Sequence, residues 1–304
     1  MKLGYACINL TLPTKFKTCR LKTVETEGIC KVKDLTLHNL SEVLRAVKWN
    51  ADHGILMYRI SSDIIPFASH EITNDWIWWE DTDVLRLAKE IKEVKHQYHM
   101  RFSCHPGQYT LLNSPREEVV LRSLEDLMYH NLLMDLLEGQ DMILHVGGAY
   151  GDKVQAKERF IQAYNQLPTG IKDKLRLEND HTIFTISDVV EISSKCGVPI
   201  CFDIHHSNCN PPIEPVESFI PSIIRSWDGY GRPKTHISSG RNSKTDPAHH
   251  DYILEEDFEA YCNILKGYEV DMMFEAKKKE QAVLRMMNWI QKTNKETEFH
   301  IEGL

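Results

Sequence analysis

Short apolar segments alternate with longer amphipathic ones along the whole chain, and this alternation limits the fold more than any other feature. Eight segments of four to seven residues are rich in Ile, Leu, Val, Met and Phe. Such segments are typical of strands that are buried on both faces of a sheet. The predicted strands are Leu3–Asn9, Leu56–Ser61, Arg101–His105, Met142–Val146, Leu175–Glu178, Ile200–Asp203, Thr235–Ser238 and Asp271–Glu275.

Between and after these strands, apolar residues recur with the 3.6-residue spacing of helices. The predicted helices are Leu40–Asn50, Asp83–Tyr98, Glu117–Leu137, Lys153–Gln166, Ile186–Lys195, Glu214–Arg225, Glu256–Lys266 and Lys278–Gln291. Ser41, Asp81 and Asp152 are the predicted N-caps. Eight strands alternating with eight helices in 304 residues predict an α/β fold of the (β/α)8 TIM-barrel type. A doubly wound sheet is the runner-up.

The composition is that of an ordinary globular protein. The chain has 36 Lys and Arg residues against 44 Asp and Glu residues, a net charge of -8, whereas general nucleic-acid-binding proteins usually carry a basic excess. No apolar run reaches the roughly 18 residues of a membrane-spanning helix, and the first ten residues do not resemble a signal peptide. The eight cysteines form no Cys-x-x-Cys pair and are expected to be reduced thiols. We therefore expect a cytoplasmic protein without a membrane partner.

No low-complexity tract, linker or composition shift divides the chain, so we expect one catalytic domain over residues 1–304. The pair Gly147-Gly148 is too short for a dinucleotide-binding fingerprint, and no nucleotide cofactor is expected. Neither heptads nor an obvious apolar stripe predicts an oligomer, so a monomer is the expectation.

Side chains that can bind a metal or contact a phosphate follow nearly every predicted strand. In chain order they are Asn9, His70, His105, His145, Glu178, Asp203, His206, His236, His249 and Glu275. A buried imidazole or carboxylate at the end of an apolar strand is costly unless a partner compensates it. The carboxyl ends of all strands of a barrel meet at one mouth. We therefore predict a metal cluster at the C-terminal mouth of the barrel.

The number of candidate ligands exceeds the needs of one ion and predicts two or three divalent ions. Ions about 3.5–4 Å apart suit phosphoryl transfer, because they activate a water molecule and bind both the attacking and the leaving oxygen. Phosphodiester hydrolysis is therefore the first functional prediction. A metal-dependent sugar-phosphate isomerase or epimerase is the alternative, although such sites usually contain more carboxylates than histidines. A metal-binding protein without catalytic activity ranks third.

Three further residues are expected at this mouth. Lys234 lies two residues before His236, so both side chains should point to the same face of their strand. Gln108 and Tyr109 follow His105 on a turn, where an aromatic ring can stack on nucleic-acid bases.

Several motifs, in order along most of the chain, resemble the UV damage endonuclease family, whose barrel is similar to that of endonuclease IV. These motifs are GYACINLTL, RISSDIIPFASH, SCHPGQYTLLNS, LHVGG, RLENDH, FDIHH, RPKTHISS, AHHDYI and FEAKKKE. The resemblance implies a repair endonuclease that nicks damaged double-stranded DNA 5′ of cyclobutane dimers, 6-4 photoproducts and abasic sites. It also implies manganese as the metal.

Carried over position by position, the resemblance implies the roles of individual residues. The implied metal ligands are His105, His145, Glu178, Asp203, His206, His236, His249 and Glu275. The implied catalytic residues are Lys234, which the family can carry in carboxylated form, and Asn9 and His70, close to the scissile phosphate. The implied lesion-binding residues are Tyr5, Gln108 and Tyr109. Where the family has one histidine followed by a small residue, this chain has two, so His250 stays an alternative to His249.

Overall fold

The strands form a closed parallel barrel. In the computed structural model, which describes residues 1–13 and 15–304, each strand pairs with its neighbours in the sequence and β8 pairs with β1. The strands are β1 (Leu3–Ala6), β2 (Met57–Ile60), β3 (Arg101–Cys104), β4 (Asp141–His145), β5 (Leu175–Glu178), β6 (Ile200–Asp203), β7 (Lys234–Ile237) and β8 (Asp271–Phe274). The prediction of a (β/α)8 TIM barrel is confirmed, and the doubly wound sheet is excluded.

The predicted strand positions agree closely with the observed ones. The predictions for β5 and β6 match at both ends, and the other six differ by one to three residues at an end. Nearly all strand residues are buried, because the barrel interior lies on one side and the helices cover the other. This double burial is the reason that the strands could be found as continuous apolar segments.

Helices surround the barrel. In the described residues they are α1 (Leu21–Glu27), α2 (Ile29–Asp52), α3 (Thr82–Gln97), α4 (Glu117–Leu137), α5 (Lys153–Gln166), α6 (Thr169–Lys172), α7 (Ile186–Cys196), α8 (Ile204–Cys209), α9 (Ile220–Arg225), α10 (Glu255–Ile264), α11 (Lys279–Lys292) and α12 (Glu296–Phe299). In the same part of the chain, 3-10 helices cover Glu71–Thr73, Trp78–Glu80 and Val216–Phe219. Within the same residues, no helix combines the length and the apolarity required to cross a membrane.

Two of the three predicted N-caps are confirmed and one is wrong. The carboxylate of Asp81 accepts hydrogen bonds from the first turn of α3, and that of Asp152 does so for α5. Ser41 lies in the middle of α2, where its hydroxyl donates to the carbonyl of Leu37 at 2.8 Å, one turn back. The apolar face of α2 continues toward the N-terminus through Val32 and Leu35, and the helix therefore begins before Ser41.

The predicted helix over Glu214–Arg225 is also divided. A 3-10 helix over Val216–Phe219 precedes α9, which carries Pro221 in its first turn. A proline lacks a backbone N–H group and is best accommodated in the first turn of a helix, which explains why a new helix begins here.

Charged side chains fill the amino-terminal end of the barrel. Arg101 donates from Nε to Asp141 at 2.9 Å and from a terminal nitrogen to Asp271 at 2.8 Å. Arg176 donates to the other oxygen of Asp141 at 3.0 Å, and its guanidinium stacks 4.8 Å from the ring centre of Trp227. Burial opposes the charge of Asp141, but the two arginines hold its pKa below the usual range. These charged groups pair with one another. The predicted metal ligands lie at the opposite mouth, at the carboxyl ends of the strands.

Candidate metal centre

Seven of the eight predicted metal ligands meet at the carboxyl ends of the strands. The strand register places His145 of β4 beside Glu178 of β5, and Asp203 of β6 beside His236 of β7. The seven residues form three groups in which the ligand atoms lie within 4.8 Å of one another. The groups are His105, His145 and Glu178; Glu178, Asp203 and His206; and Asp203, His236 and Glu275.

Glu178 lies at the centre of the cluster and is almost fully buried. Its Oε2 is 3.2 Å from Nε2 of His105 and 3.4 Å from Nε2 of His145, and its Oε1 is 2.8 Å from Nδ1 of His236. Burial alone would raise the pKa of Glu178, but the surrounding imidazoles hold it well below its usual range. When two ligand atoms each lie about 2.1 Å from one ion and the ligand–ion–ligand angle is roughly 90–110°, the two atoms are about 3.0–3.4 Å apart. The two distances from Oε2 fit such an arrangement.

Two histidines of the cluster, His105 and His206, are oriented by hydrogen bonds from their Nδ1–H groups. Nδ1 of His105 lies 2.9 Å from the carbonyl of Pro106, and Nδ1 of His206 lies 2.9 Å from the carbonyl of Asn179. A carbonyl can only accept, so Nδ1 must carry the proton in both rings. In the neutral form of each ring the lone pair is then on Nε2, as in metal-binding histidines whose other nitrogen donates to an oxygen.

Among the described residues, three buried side-chain atoms of the cluster lack a hydrogen-bond partner: Nδ1 of His145 and two acceptors. The acceptors are Oδ2 of Asp203 and Nε2 of His236; the second is an acceptor because the Nδ1–H of the same ring donates to Glu178. Buried polar atoms without a partner are rare and costly in native proteins. A divalent cation would compensate both acceptors, and mixed imidazole and carboxylate ligands suit such ions. The cluster can therefore hold a metal ion.

Two supporting residues were missed in the sequence. Arg59 of β2 forms an ion pair with Glu275. Burial would raise the pKa of Glu275, but Arg59 and His236 hold it below its usual range. Asn179 accepts from the backbone N–H of Asp203 at 3.0 Å and donates to the carbonyl of that residue at 2.9 Å. A signal for Arg59 existed, because a charged residue inside an apolar strand requires a buried partner.

Lys234 is fully buried at the start of β7. Its Nζ donates to the hydroxyl of Ser103 at 2.9 Å, and burial lowers its pKa. It lies two residues before His236 on the same strand, and both side chains are fully buried.

Asn9 and Tyr5 contact each other and shape the loop after β1. Oδ1 of Asn9 accepts from the N–H groups of Thr11 and Leu12 at 3.0 and 2.8 Å, and its Nδ2 donates to the hydroxyl of Tyr5 at 3.0 Å. The hydroxyl of Tyr5 donates to Asn50 at 2.8 Å. Tyr5 is fully buried, so its ring is part of the interior and is not presented at the open mouth.

The remaining predicted residues lie outside the three ligand groups. His70 is exposed, and its Nδ1 accepts from the N–H of Ile72 at 3.1 Å, so it caps the short helix over Glu71–Thr73. Gln108 is exposed, and Tyr109 is 80% exposed. Tyr109 lines a cleft of about 690 Å³ between the loop after β2 and the start of α4.

The tandem histidines after β7 are also outside the cluster. His249 packs edge-on against His205, with ring centres 5.6 Å apart. Nδ1 of His250 lies 3.0 Å from the carbonyl oxygen and 3.1 Å from the backbone nitrogen of Tyr252. Two histidines that received no role lie nearby: His205, with a buried Nδ1 that has no partner in the described chain, and His181, whose ring lies 5.4 Å from that of His206.

Comparison with known proteins identifies the family of this chain. A family model described as UV-endonuclease UvdE matches residues 1–302. The chain belongs to the UV-endonuclease family. The resemblance inferred from the sequence motifs is thereby confirmed, and membership of this family makes the chain an enzyme of the endonuclease class.

Individual members of the UV-endonuclease family align with nearly the whole chain. The UV DNA damage endonuclease of Clostridium perfringens is 34% identical over 301 residues, which cover 97% of this chain and 72% of that protein. The UV DNA damage endonuclease of Bacillus mycoides is 36% identical over 275 residues, covering 88% of this chain and 85% of that protein. The crystal structure of SacUVDE superposes with a TM-score of 0.85 at 33% identity and covers 97% of this chain and 99% of its own.

Proposed function

We propose that this UV-endonuclease nicks duplex DNA directly 5′ of cyclobutane dimers and 6-4 photoproducts, and also at abasic sites, in a metal-dependent reaction that starts excision repair. One observation supports the metal-dependent part most strongly. The buried carboxylate of Glu178 faces two Nε2 atoms at distances that suit a shared ion, and acceptors of Asp203 and His236 beside it have no partner in the described residues.

Two or three ions, proposed to be manganese, would bind at the three ligand groups. His105 and His145 would share one ion with Glu178, and Asp203, His236 and Glu275 would hold another. His206 and His249 would contribute to a third, with His250 as the alternative to His249. Bound there, the ions would supply Lewis acidity that activates water and neutralises charge on the scissile phosphate.

Lys234 is proposed to act as a carboxylated lysine. Burial lowers its pKa, which increases the fraction of neutral amine. The nitrogen lone pair of a neutral amine can attack the carbon of CO2, and loss of one proton leaves a carbamate anion. The new carboxylate would place an anion where the buried amine stood, on the strand that carries His236.

Asn9 and His70 are proposed to act on the side of the scissile phosphate. Both follow strands whose carboxyl ends open at the candidate site. The amide of Asn9 is engaged by its own loop and by Tyr5, so its proposed role is to hold that loop in place beside the phosphate. His70 uses Nδ1 to cap a short helix, which leaves Nε2 for a phosphate oxygen.

Gln108 and Tyr109 are proposed to recognise the lesion. A photoproduct or an abasic site already weakens base stacking, so its nucleotides can be extruded from the duplex at a smaller cost than those of sound DNA. The exposed ring of Tyr109 would then stack in the gap, an interaction worth about 1–3 kcal/mol per base. Tyr5 is buried, and we propose that it contributes through the loop that it holds together with Asn9.

We further propose that residues 1–304 act as one catalytic domain, in monomeric form, in the cytoplasm and without a nucleotide cofactor. The barrel uses strands from Leu3 to Phe274. The C-terminal segment returns to the first strand, where the N–H of Glu302 donates to the carbonyl of Met1 at 2.9 Å. Both ends of the chain thus support the same barrel.

The test is a nicking assay on supercoiled plasmid, irradiated or not, with manganese or with a chelator. We expect nicks only in irradiated plasmid with manganese, and mapping of the nicks on a duplex with one dimer should place them 5′ of the lesion. Glu118→Gln, a change of an exposed glutamate in α4, serves as a control that should keep full activity. The proposal fails if irradiated plasmid stays supercoiled with manganese present, which is also the outcome that a sugar-phosphate isomerase would give.

A further inference from the structure

A basic strap follows β1 at the carboxyl end of the barrel. We use this name for residues 15–22, whose four cations are Lys15, Lys17, Arg20 and Lys22. All four side chains are exposed, and within residues 1–13 and 15–304 none of them forms an ion pair. The next two lysines differ: Lys31 pairs with Glu27 at 3.2 Å, and Lys33 pairs with Asp81 and Asp83 at 2.9 Å each. The strap is thus a local positive surface in a chain with a net charge of -8.

Helix α2 holds the backbone of the strap in place. Asn39 is fully buried; its Oδ1 accepts from the N–H of Lys17 at 2.8 Å, and its Nδ2 donates to the carbonyl of Lys17 at 2.9 Å. Nε2 of His38 lies 2.9 Å from the carbonyl of Lys15. The carboxylate of Glu42 accepts from the N–H of Lys15 at 3.3 Å. These bonds fix the backbone at Lys15 and Lys17, and the side chains of both lysines are exposed.

The strap is also linked to the rim of the candidate site. The amide of Asn39 donates to the carbonyl of Ile64 at 3.0 Å, in the loop after β2 that lines the cleft beside Tyr109. Upstream of the strap, Glu280 of α11 accepts from the N–H groups of Leu10 and Thr11 at 2.8 Å each. The strap, the cleft and the loop that carries Asn9 thus belong to one connected rim.

We propose that the basic strap binds backbone phosphates of the DNA duplex beside the cleavage site. The proposal rests on the proposed function, since it takes duplex DNA as the substrate. An acidic protein needs local cations to attract a phosphate backbone, and cations without carboxylate partners are available for this role at no loss of internal ion pairs. An ordered backbone reduces the conformational entropy lost when the side chains bind.

The salt dependence of DNA binding tests this proposal. The strap variant combines K15Q, K17Q, R20Q and K22Q. The control variant carries the same change in charge on exposed cations without ion pairs in the described chain, near the amino-terminal ends of the strands: K48Q, R225Q, K266Q and K292Q. Binding of a fluorescent, undamaged duplex to the manganese-loaded enzyme is followed by anisotropy, since phosphate contacts do not require a lesion and intact DNA is not cut.

The logarithm of the association constant falls as the logarithm of the salt concentration rises. Each phosphate contact makes this slope steeper by about 0.9. If three of the four cations contact phosphates, wild type should lose roughly 40-fold more affinity than the strap variant between about 50 and 200 mM salt. The control variant should keep the wild-type slope, and a variant with K15R, K17R and K22R should keep it as well, because it retains the charges. Metal content should be equal in all four proteins.

Equal slopes for the strap and control variants, with wild type nicking irradiated plasmid, would overturn the strap proposal and leave the proposed function standing. A wild-type protein that neither binds duplex DNA nor nicks irradiated plasmid would overturn both.

Discussion

Replacing Gln108 and Tyr109 by alanine should separate lesion recognition from hydrolysis. The turn that carries them is held by other groups: the N–H of Thr110 donates to the carbonyl of Gly107 at 3.0 Å, and the N–H of Leu111 donates to the hydroxyl of Ser123 at 2.8 Å. Tyr109 is 80% exposed, so its truncation should change folding stability by no more than about 0.5 kcal/mol. Metal content should stay at the wild-type level, because neither residue belongs to a ligand group.

The double variant should be defective only in binding and nicking damaged DNA. A lost aromatic stack is worth about 1–3 kcal/mol, which corresponds to roughly 5- to 140-fold weaker binding at 1.4 kcal/mol per factor of ten. For the double variant we expect at least about a tenfold loss in binding and nicking of a duplex with one cyclobutane dimer. The loss should shrink when the bases opposite the dimer are mismatched, because the stack is already weakened there.

Anisotropy, nicking rates and elemental analysis on the same preparations test this prediction. Tyr268→Ala is the matched control, because Tyr268 is also an exposed aromatic residue, at 41%, but precedes β8 at the opposite end of the barrel. Wild-type nicking of matched, damaged duplex by the double variant would refute the reasoning, and damage would then have to be sensed elsewhere on the rim.

Three further predictions concern the centre and the base of the barrel. Glu178→Gln should remove at least one ion per chain by elemental analysis and reduce nicking by more than about 100-fold, because its carboxylate lies between two ligand groups; unchanged metal content would contradict the shared-ligand role. Lys234→Ala should depress nicking, and intact-protein mass spectrometry under mild conditions should show about 44 Da on wild type but not on the variant, the mass of added CO2; a fully active variant would exclude a catalytic role. Asp141→Asn should lower the free energy of unfolding by about 3–5 kcal/mol, because it leaves Arg101 and Arg176 buried without their shared anion. The pKa of Asp141 is lowered in the folded state, so its contribution is present at neutral pH and is lost as pH falls through the folded pKa; denaturant titrations should therefore show a smaller difference between wild type and variant at acid pH than at neutral pH.

The strands, and the grouping of seven candidate ligands at one mouth, could be predicted from the sequence because they depend on local patterns. A strand buried on both faces is a continuous apolar segment, and in a parallel barrel the residue after each such segment lies at the same mouth. Glu178, Asp203 and His236 could therefore be placed near one another without any contact being known, although they are separated in the sequence. The observed register sets His145 beside Glu178 and Asp203 beside His236.

Other features depend on partners that are distant in the sequence, and only the tertiary structure decided them. The start of α2 before Ser41 and the burial of Tyr5 follow from packing against the rest of the barrel. The role of Arg59 follows from Glu275, 216 positions away, and the engagement of Asn39 with Lys17 follows from how the loop after β1 lies on α2. Periodicity reports which face of an element is buried, but it does not report which polar group will meet which. The sequence by itself therefore determined the barrel and the chemistry of its mouth. The tertiary structure decided which side chains remain free to bind a metal or a phosphate, because a polar group is free only when no neighbouring group forms a hydrogen bond or ion pair with it.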